Sequence, residues 1–84
     1  MKILITGGAG LVGSHCAEYF AKKNHKVIIL DNLMRSQIFG YDKKSVEYNW
    51  NYLKRYKNIK HIKGDVRNTN DVNRAIGKGV DVVI

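Results

Sequence analysis

The sequence predicts an α/β fold, a doubly wound parallel sheet of the Rossmann type, on two observations. Short apolar runs alternate with segments of helical periodicity, in the order strand, helix, strand, helix, strand, helix, strand. A glycine-rich turn joins the first strand to the first helix. Right-handed crossovers then give the local strand order 3-2-1-4, and the expected sheet is truncated after its fourth strand.

The first predicted element is a buried strand that leads into an amphipathic helix. Residues 2–6 are apolar and rich in β-branched side chains, and glycines follow them, which is typical of a buried strand. Residues 11–23 carry apolar side chains at helical spacing. The expected core face of this helix consists of Val12, Cys16, Tyr19 and Phe20.

The next strand and helix follow the same alternation. Residues 26–30 are a second buried strand, which ends at Asp31, and residues 43–56 are predicted to be a helix. Three apolar residues recur at helical spacing in this second helix: Val46, Trp50 and Leu53. Trp50 is therefore expected to pack against the sheet, the alternative being a platform on which nucleic-acid bases stack.

Two more strands, with a helix between them, complete the predicted pattern. Residues 58–63 are the third strand and residues 80–84 the fourth. Residues 68–76 are a short helix, for which Thr69 or Asn70 is the expected N-cap. The fourth strand is expected to present an exposed apolar edge, a feature that favours aggregation or pairing with a partner.

Length, composition and charge limit the class of protein. Eighty-four residues form at most one small domain, and 44% hydrophobic with 26% charged residues is typical of a globular chain. The sequence has no signal peptide and no apolar run near the roughly 20 residues that span a bilayer, so no membrane association is expected. The single cysteine, Cys16, excludes an intrachain disulfide and suits the cytoplasm.

The net charge of +8 fits either an anionic partner or a solvated, lysine-rich surface. The basic residues form no compact arm, and no duplex-binding motif accompanies them. We therefore expect no nucleic-acid binding. The three histidines and the cysteine lack metal-ligand spacing, so no metal site is expected either.

The turn at residues 6–13 has the glycine spacing Gly-x-x-Gly-x-x-Gly between a strand and a helix. This is the context in which such a turn binds the pyrophosphate of a dinucleotide at the helix N-terminus. Gly7 is expected to permit the tight turn, Gly10 to let the pyrophosphate approach the backbone, and Gly13 to let the helix pack closely on the strand. The alternative is a strand-to-helix turn that binds nothing. No Gly-Lys-Ser/Thr follows, which argues against an ATPase.

Acidic residues follow the second and third strands at the same predicted edge of the sheet. Asp31 lies about 20 residues beyond the glycines, where a dinucleotide fold uses a carboxylate to accept the adenosine ribose hydroxyls. Because a carboxylate repels a 2′-phosphate, Asp31 favours NAD over NADP, whereas Arg35 could receive such a phosphate. Asp65 could accept the adenine amino group, or it could only cap a turn.

Together these motifs resemble the extended short-chain dehydrogenase/reductase family of NAD-dependent sugar-nucleotide epimerases and dehydratases. The resemblance covers the whole chain and rests on residues 6–14, 31–33, 64–67 and 80–84. Residues 31–35 and 64–68, with the Trp50-bearing helix, are most similar to the CDP-paratose (CDP-tyvelose) epimerase branch of the family. Leu11 departs from the family pattern, in which this position is usually aromatic.

The resemblance implies NAD as the cofactor and a role for each matching residue. The residues that would bracket the pyrophosphate are Gly7, Gly10, Leu11, Val12 and Gly13. Those near the adenosine ribose would be Asp31, Asn32, Arg35 and Ser36, and those flanking the adenine would be Asp65 and Val66.

The resemblance also implies a nucleotide-sugar substrate for the intact enzyme, and it is compatible with a homo-oligomer. The family's catalytic Ser or Thr and its Tyr-x-x-x-Lys come after the fourth strand, so this chain is expected to bind NAD as an N-terminal part without turnover. Two Tyr-x-x-x-Lys matches, at residues 19–23 and 56–60, fall toward the wrong edge of the sheet and are not expected to be catalytic. The alternatives are a non-catalytic NAD-binding module, or a subunit completed by another chain, and a basic nucleic-acid binder.

Overall fold

The computed structural model of the chain describes residues 1–33, 43–77 and 79–84, with only the backbone described for residues 43–46. The strands are β1 (Lys2–Thr6), β2 (Lys26–Asp31), β3 (Ile59–Lys63) and β4 (Val82–Val83). The helices are α1 (Leu11–Lys22), α2 (Lys43–Tyr52) and α3 (Thr69–Ile76), and a 3-10 turn (Leu53–Arg55) follows α2.

The strands form one parallel sheet in the order β3-β2-β1-β4, which confirms the predicted topology. β1 pairs with β2 along its full length, from Lys2 opposite Lys26 to Thr6 opposite Leu30. The carboxyl ends of β1, β2 and β3 therefore meet at one edge of the sheet.

Both faces of the sheet are covered, as a doubly wound fold requires. Ile3, Ile5 and Ile29 point to the face that carries α1 and the 3-10 turn. Leu4 and Ile28 point to the opposite face, which carries α3. Because β1 and β2 are buried on both faces, their sequences are continuous apolar runs and do not alternate with polar residues.

The predicted core face of α1 is wrong at two of its four residues. Val12 and Tyr19 are 75% and 58% exposed, whereas Cys16 and Phe20 pack against the core as expected. The buried positions of this helix are Ser14, Ala17 and Ala21. Small side chains at these positions let the helix axis approach the sheet closely, and this close approach leaves the bulkier side chains at the margin.

In the region of α2, Trp50 and Leu53 pack as predicted, but the α-helix is shorter than predicted. The α-helix ends at Tyr52, and Leu53 is fully buried in the 3-10 turn that continues it. Trp50 packs against the core and meets the His61 ring edge-on at 4.8 Å, so core packing is the observed role. The side chain of Val46 lies outside the described residues.

Two smaller corrections concern the last elements. The N-cap of α3 is Asn68, whose side chain accepts hydrogen bonds from the backbone N–H groups of Asn70 and Asp71 (2.9 and 3.2 Å). β4 has two residues in place of the predicted five, although the Thr6 N–H still donates to the Ile84 carbonyl (2.9 Å). Its edge is exposed as predicted.

Among the described residues, no helix has the combination of length and apolar character that crossing a membrane needs.

Gly13→Ala should lower the free energy of unfolding by about 3 kcal/mol, the upper end of what overpacking costs. A Cβ at Gly13 would lie 2.2 Å from the Gly7 carbonyl oxygen, and backbone on both sides leaves little room to adjust. Urea denaturation measures this loss.

The matched control is Gly64→Ala, because a Cβ there would meet the side chain of Asp71 at 2.9 Å and no backbone atom. Asp71 can move aside at the cost of its bond from the Asp65 N–H, so Gly64→Ala should cost less than Gly13→Ala. Equal losses in the two variants would show that the close approach of α1 to β1 is not rigid.

Candidate functional site

The turn between β1 and α1 is fixed by backbone hydrogen bonds. The Gly7 N–H donates to the Leu30 carbonyl at 2.8 Å, and the Gly10 N–H donates to the Gly7 carbonyl at 3.0 Å. Gly7 has a φ of +69°, in the left-handed region where a side chain is strained, which is the structural role predicted for it. Gly10 is the N-cap of α1, and its carbonyl accepts from the Ser14 N–H at 2.8 Å.

A further glycine in this turn has a packing role that sequence reasoning missed. Gly8 is buried against β2, and a Cβ there would lie 2.4 Å from the Ile29 Cβ. Because Gly8 falls between the glycines of the Gly-x-x-Gly-x-x-Gly pattern, the spacing gave it no role. Gly8 thus lets the turn pack on β2, and Gly13 lets α1 pack on the turn.

The N-terminal end of α1 can receive an anion. No side chain caps this helix, and its first turn contains no acidic residue. The first N–H groups of a helix have no intrahelical acceptor, and the aligned peptide dipoles place a partial positive charge there. Leu11 and Val12 are 73% and 75% exposed beside these N–H groups. Phosphate or pyrophosphate is the ligand chemistry that fits such a helix end.

Asp31 lies directly against this turn at the carboxyl end of β2. It is only 4% exposed. One carboxylate oxygen accepts from the Ala9 N–H at 2.9 Å, and the other accepts from the Leu33 N–H at 2.8 Å. The structure therefore brings together the glycine turn and the acidic residue that the sequence assigned to one site.

Asn49 also contacts the turn, and nothing in the sequence analysis identified it. Its side-chain amide Nδ2 donates to the Ala9 carbonyl at 3.0 Å, across 40 residues of sequence. Ala9 is fully buried, so its N–H and its carbonyl are both satisfied by side chains, from Asp31 and Asn49. A polar residue on an amphipathic helix carries no spacing signal that points to a distant turn.

Of the other residues assigned to the ribose, the structure describes only Asn32. Asn32 follows Asp31 and is half-buried. Arg35 and Ser36 lie outside the described residues.

Asp65 lies at the same edge of the sheet, one strand further out. The Gly64 N–H donates to the Asp31 carbonyl at 3.0 Å, which places the two acidic segments side by side. Val66, the second residue assigned to the adenine, is 54% exposed.

The carboxylate of Asp65 is engaged by Arg67. The guanidinium Nη2 lies 2.7 Å from one oxygen, and Nε lies 3.1 Å from the other, which also accepts from the Arg67 N–H at 2.8 Å. These hydrogen bonds hold the pKa of Asp65 at about 2. By accepting from the Arg67 N–H, the Asp65 carboxylate caps a turn. This is the role that the sequence offered as the alternative to binding the adenine amino group.

The described contacts of the two Tyr-x-x-x-Lys matches lie away from the glycine turn. Lys23 places its ammonium 5.6 Å from the centre of the Tyr19 ring, after the end of α1. The Tyr56 hydroxyl donates to a Glu18 carboxylate oxygen at 2.7 Å, and this bond raises the pKa of Tyr56 to about 12. A catalytic phenol needs a lowered pKa, so the environment of Tyr56 opposes that role.

A groove of about 200 Å³ lies between α1 and α2. The residues that line this α1–α2 groove are Ser14, His15, Glu18, Tyr48, Asn49 and Tyr52. Residues 1–33, 43–77 and 79–84 contain no group of three or more His, Cys, Asp and Glu side chains arranged to hold a metal ion.

Comparison with known proteins gives one family match and several similar enzymes. A family model described as NAD dependent epimerase/dehydratase family matches residues 3–84. CDP-paratose 2-epimerase of Salmonella typhi is 38% identical over 78 residues, which are 93% of this chain and 21% of that protein. UDP-glucose 4-epimerase of Klebsiella pneumoniae is 49% identical over 37 residues, 44% of this chain and 27% of that protein.

A third similar protein is the dTDP-D-glucose 4,6-dehydratase of Dictyostelium discoideum, 65% identical over 34 residues, 38% of this chain and 8% of that protein. The chain thus spans between 8% and 27% of the length of these three relatives.

Arg67→Gln should raise the pKa of Asp65 from about 2 toward its ordinary value of 3.8, because the charged hydrogen bonds from the guanidinium are lost. An NMR titration of the side-chain carboxyl carbon measures this pKa. A lowered pKa in the folded chain stabilises the fold above the unfolded pKa, and this stabilisation is lost as the pH falls toward 2. Arg67→Gln should therefore reduce that acid dependence, while the bond from the residue 67 backbone N–H remains.

Arg74→Gln is the control for charge, since Arg74 pairs with Asp71 at 3.5 Å and makes no bond to Asp65. Arg74→Gln should leave the pKa of Asp65 close to its value of about 2. If Asp65 still titrates near 2 in Arg67→Gln, the ion pair is not what lowers its pKa.

Proposed function

Because this chain belongs to the NAD-dependent epimerase/dehydratase family, we propose that it binds NAD at the glycine turn. The observation that carries the proposal is the hydrogen bond from the Ala9 N–H to the buried Asp31 carboxylate, at 2.9 Å. It joins an uncapped helix end, suited to pyrophosphate, to a carboxylate suited to ribose hydroxyls. A single ligand that carries both groups matches this pair better than phosphate alone.

The pyrophosphate binds the N–H groups at the start of α1, where Leu11, Val12 and Gly13 supply the first turn. Because Gly7 and Gly10 have no side chains, the loop leaves the N–H groups at the start of α1 open to the pyrophosphate. Leu11 and Val12 are exposed and present apolar surface to the ligand.

The adenosine half lies at the carboxyl ends of β2 and β3. Asp31 accepts the ribose hydroxyls, with Asn32 beside it, and its negative charge disfavours a 2′-phosphate, so NAD binds better than NADP. Asp65 and Val66 flank the adenine. Arg35 and Ser36 are assigned to the ribose by the family resemblance alone.

For the intact protein we propose an epimerase or dehydratase that acts on a nucleotide sugar in the cytoplasm, and a homo-oligomer is compatible with this. This proposal is supported by the names of three relatives: a CDP-paratose epimerase, a UDP-glucose epimerase and a dTDP-D-glucose dehydratase. Bound NAD supplies a reversible hydride acceptor for such chemistry. The residues described here hold the adenosine and pyrophosphate half of the cofactor.

Calorimetric titration with NAD and NADP at physiological salt tests the cofactor assignment. The chain should bind NAD about tenfold or more tightly than NADP, since Asp31 repels the extra phosphate. Gly10→Asp should weaken NAD binding at least tenfold, because a carboxylate at the N-cap faces the pyrophosphate.

Asn51→Asp is the matched control, since it introduces the same charge at an exposed position of α2. It should bind NAD like the original chain. The proposal fails if the folded chain binds neither dinucleotide, or if Gly10→Asp retains full affinity for NAD.

A further inference from the structure

The peptide group between Ala9 and Gly10 is held at both ends. Its carbonyl accepts from Asn49 Nδ2 at 3.0 Å, and its N–H donates to the Gly7 carbonyl at 3.0 Å. This peptide group leads into Gly10, the N-cap of α1, so it forms part of the backbone from which the helix starts.

The amide of Asn49 also affects the charge at this helix end. A carbonyl oxygen carries a partial negative charge, and the Ala9 carbonyl lies one residue before the N-cap, beside the positive end of α1. A donor on that oxygen reduces its repulsion of an approaching anion and prevents the peptide from rotating its oxygen toward the phosphate. Asn49 does both from another element of the fold.

Helix α2 is anchored well enough to perform this role. Tyr56, just beyond the 3-10 turn, donates to Glu18 of α1 at 2.7 Å. Trp50, next to Asn49, packs against the core, and Leu53 is fully buried. Asn49 therefore reaches the turn from a helix whose own position is set by several contacts.

We infer that Asn49 is a positioning residue for the pyrophosphate site, which orients the Ala9–Gly10 peptide from helix α2. This rests on the proposed function for its ligand, although the orientation of the peptide can be measured without one. Asn49 does not itself contact the cofactor. Its contribution is to hold the turn in the binding geometry before the ligand arrives, so its loss weakens pyrophosphate ligands selectively.

The test compares Asn49→Ala with Asn51→Ala, the same substitution at an exposed position of the same helix. Calorimetry with NAD, ADP and adenosine separates the pyrophosphate contribution from the adenosine contribution. Asn49→Ala should weaken NAD and ADP about three- to tenfold, the fold-change that one net hydrogen bond corresponds to, and change adenosine less than twofold. Asn51→Ala should change none of the three.

Amide hydrogen exchange in the absence of ligand provides the second measurement. The Gly10 and Ala9 N–H groups should exchange faster in Asn49→Ala than in the original chain, and Asn51→Ala should leave them unchanged. Asn49→Leu, which keeps the branched side-chain shape, adds no charge and removes the donor, replaces Asn49→Ala if the latter does not fold.

The outcomes distinguish this inference from the proposed function. If the original chain binds neither NAD nor ADP while the turn exchanges faster in Asn49→Ala, the proposed function fails and the positioning role stands. Unchanged exchange at Gly10 overturns the inference. An equal loss of affinity for adenosine and ADP also overturns it, because a general loss of stability would weaken both.

Discussion

The buried carboxylate of Asp31 and the N–H of Ala9 form the contact on which the site depends. A carboxylate that is 4% exposed must be hydrogen-bonded, because desolvation without a partner would cost several kcal/mol. The Leu33 N–H, two residues further along the chain, supplies one partner at 2.8 Å. The Ala9 N–H supplies another at 2.9 Å, and this contact forms only if β2 lies beside β1 and the turn folds back over it. The contact between Asp31 and Ala9 therefore requires the strand order, the turn conformation and the placement of the acidic residue at the same time.

The glycines satisfy the steric side of the same constraint. Gly8 leaves room for the Ile29 side chain, and Gly13 leaves room for the Gly7 carbonyl. The start of α1 can then pack closely against the turn that follows β1. On the outer edge, β3 carries exposed Lys60 and Lys63, which discourage edge-to-edge pairing and account for part of the net charge of +8 without an anionic partner.

The sequence predicted the sheet order, the doubly wound architecture and the proximity of Asp31 to the glycine turn, because each depends on local pattern and on general topology. It was wrong about the face of α1, since apolar periodicity cannot show that Ala17 and Ala21 lie closer to the sheet than Val12 and Tyr19. It also missed Asn49, whose contact with Ala9 is set by how α2 packs on α1 and by no pattern along the chain. Tertiary packing decided both points.

The measurement that tests the cofactor site most directly is a crystal structure of this chain with NAD. We expect the pyrophosphate within hydrogen-bond distance of the N–H groups in the first turn of α1, and the adenosine ribose hydroxyls against the Asp31 carboxylate. A dinucleotide bound in the α1–α2 groove or on the lysines of β3, with the glycine turn vacant, would contradict the assignment of the turn as the NAD site.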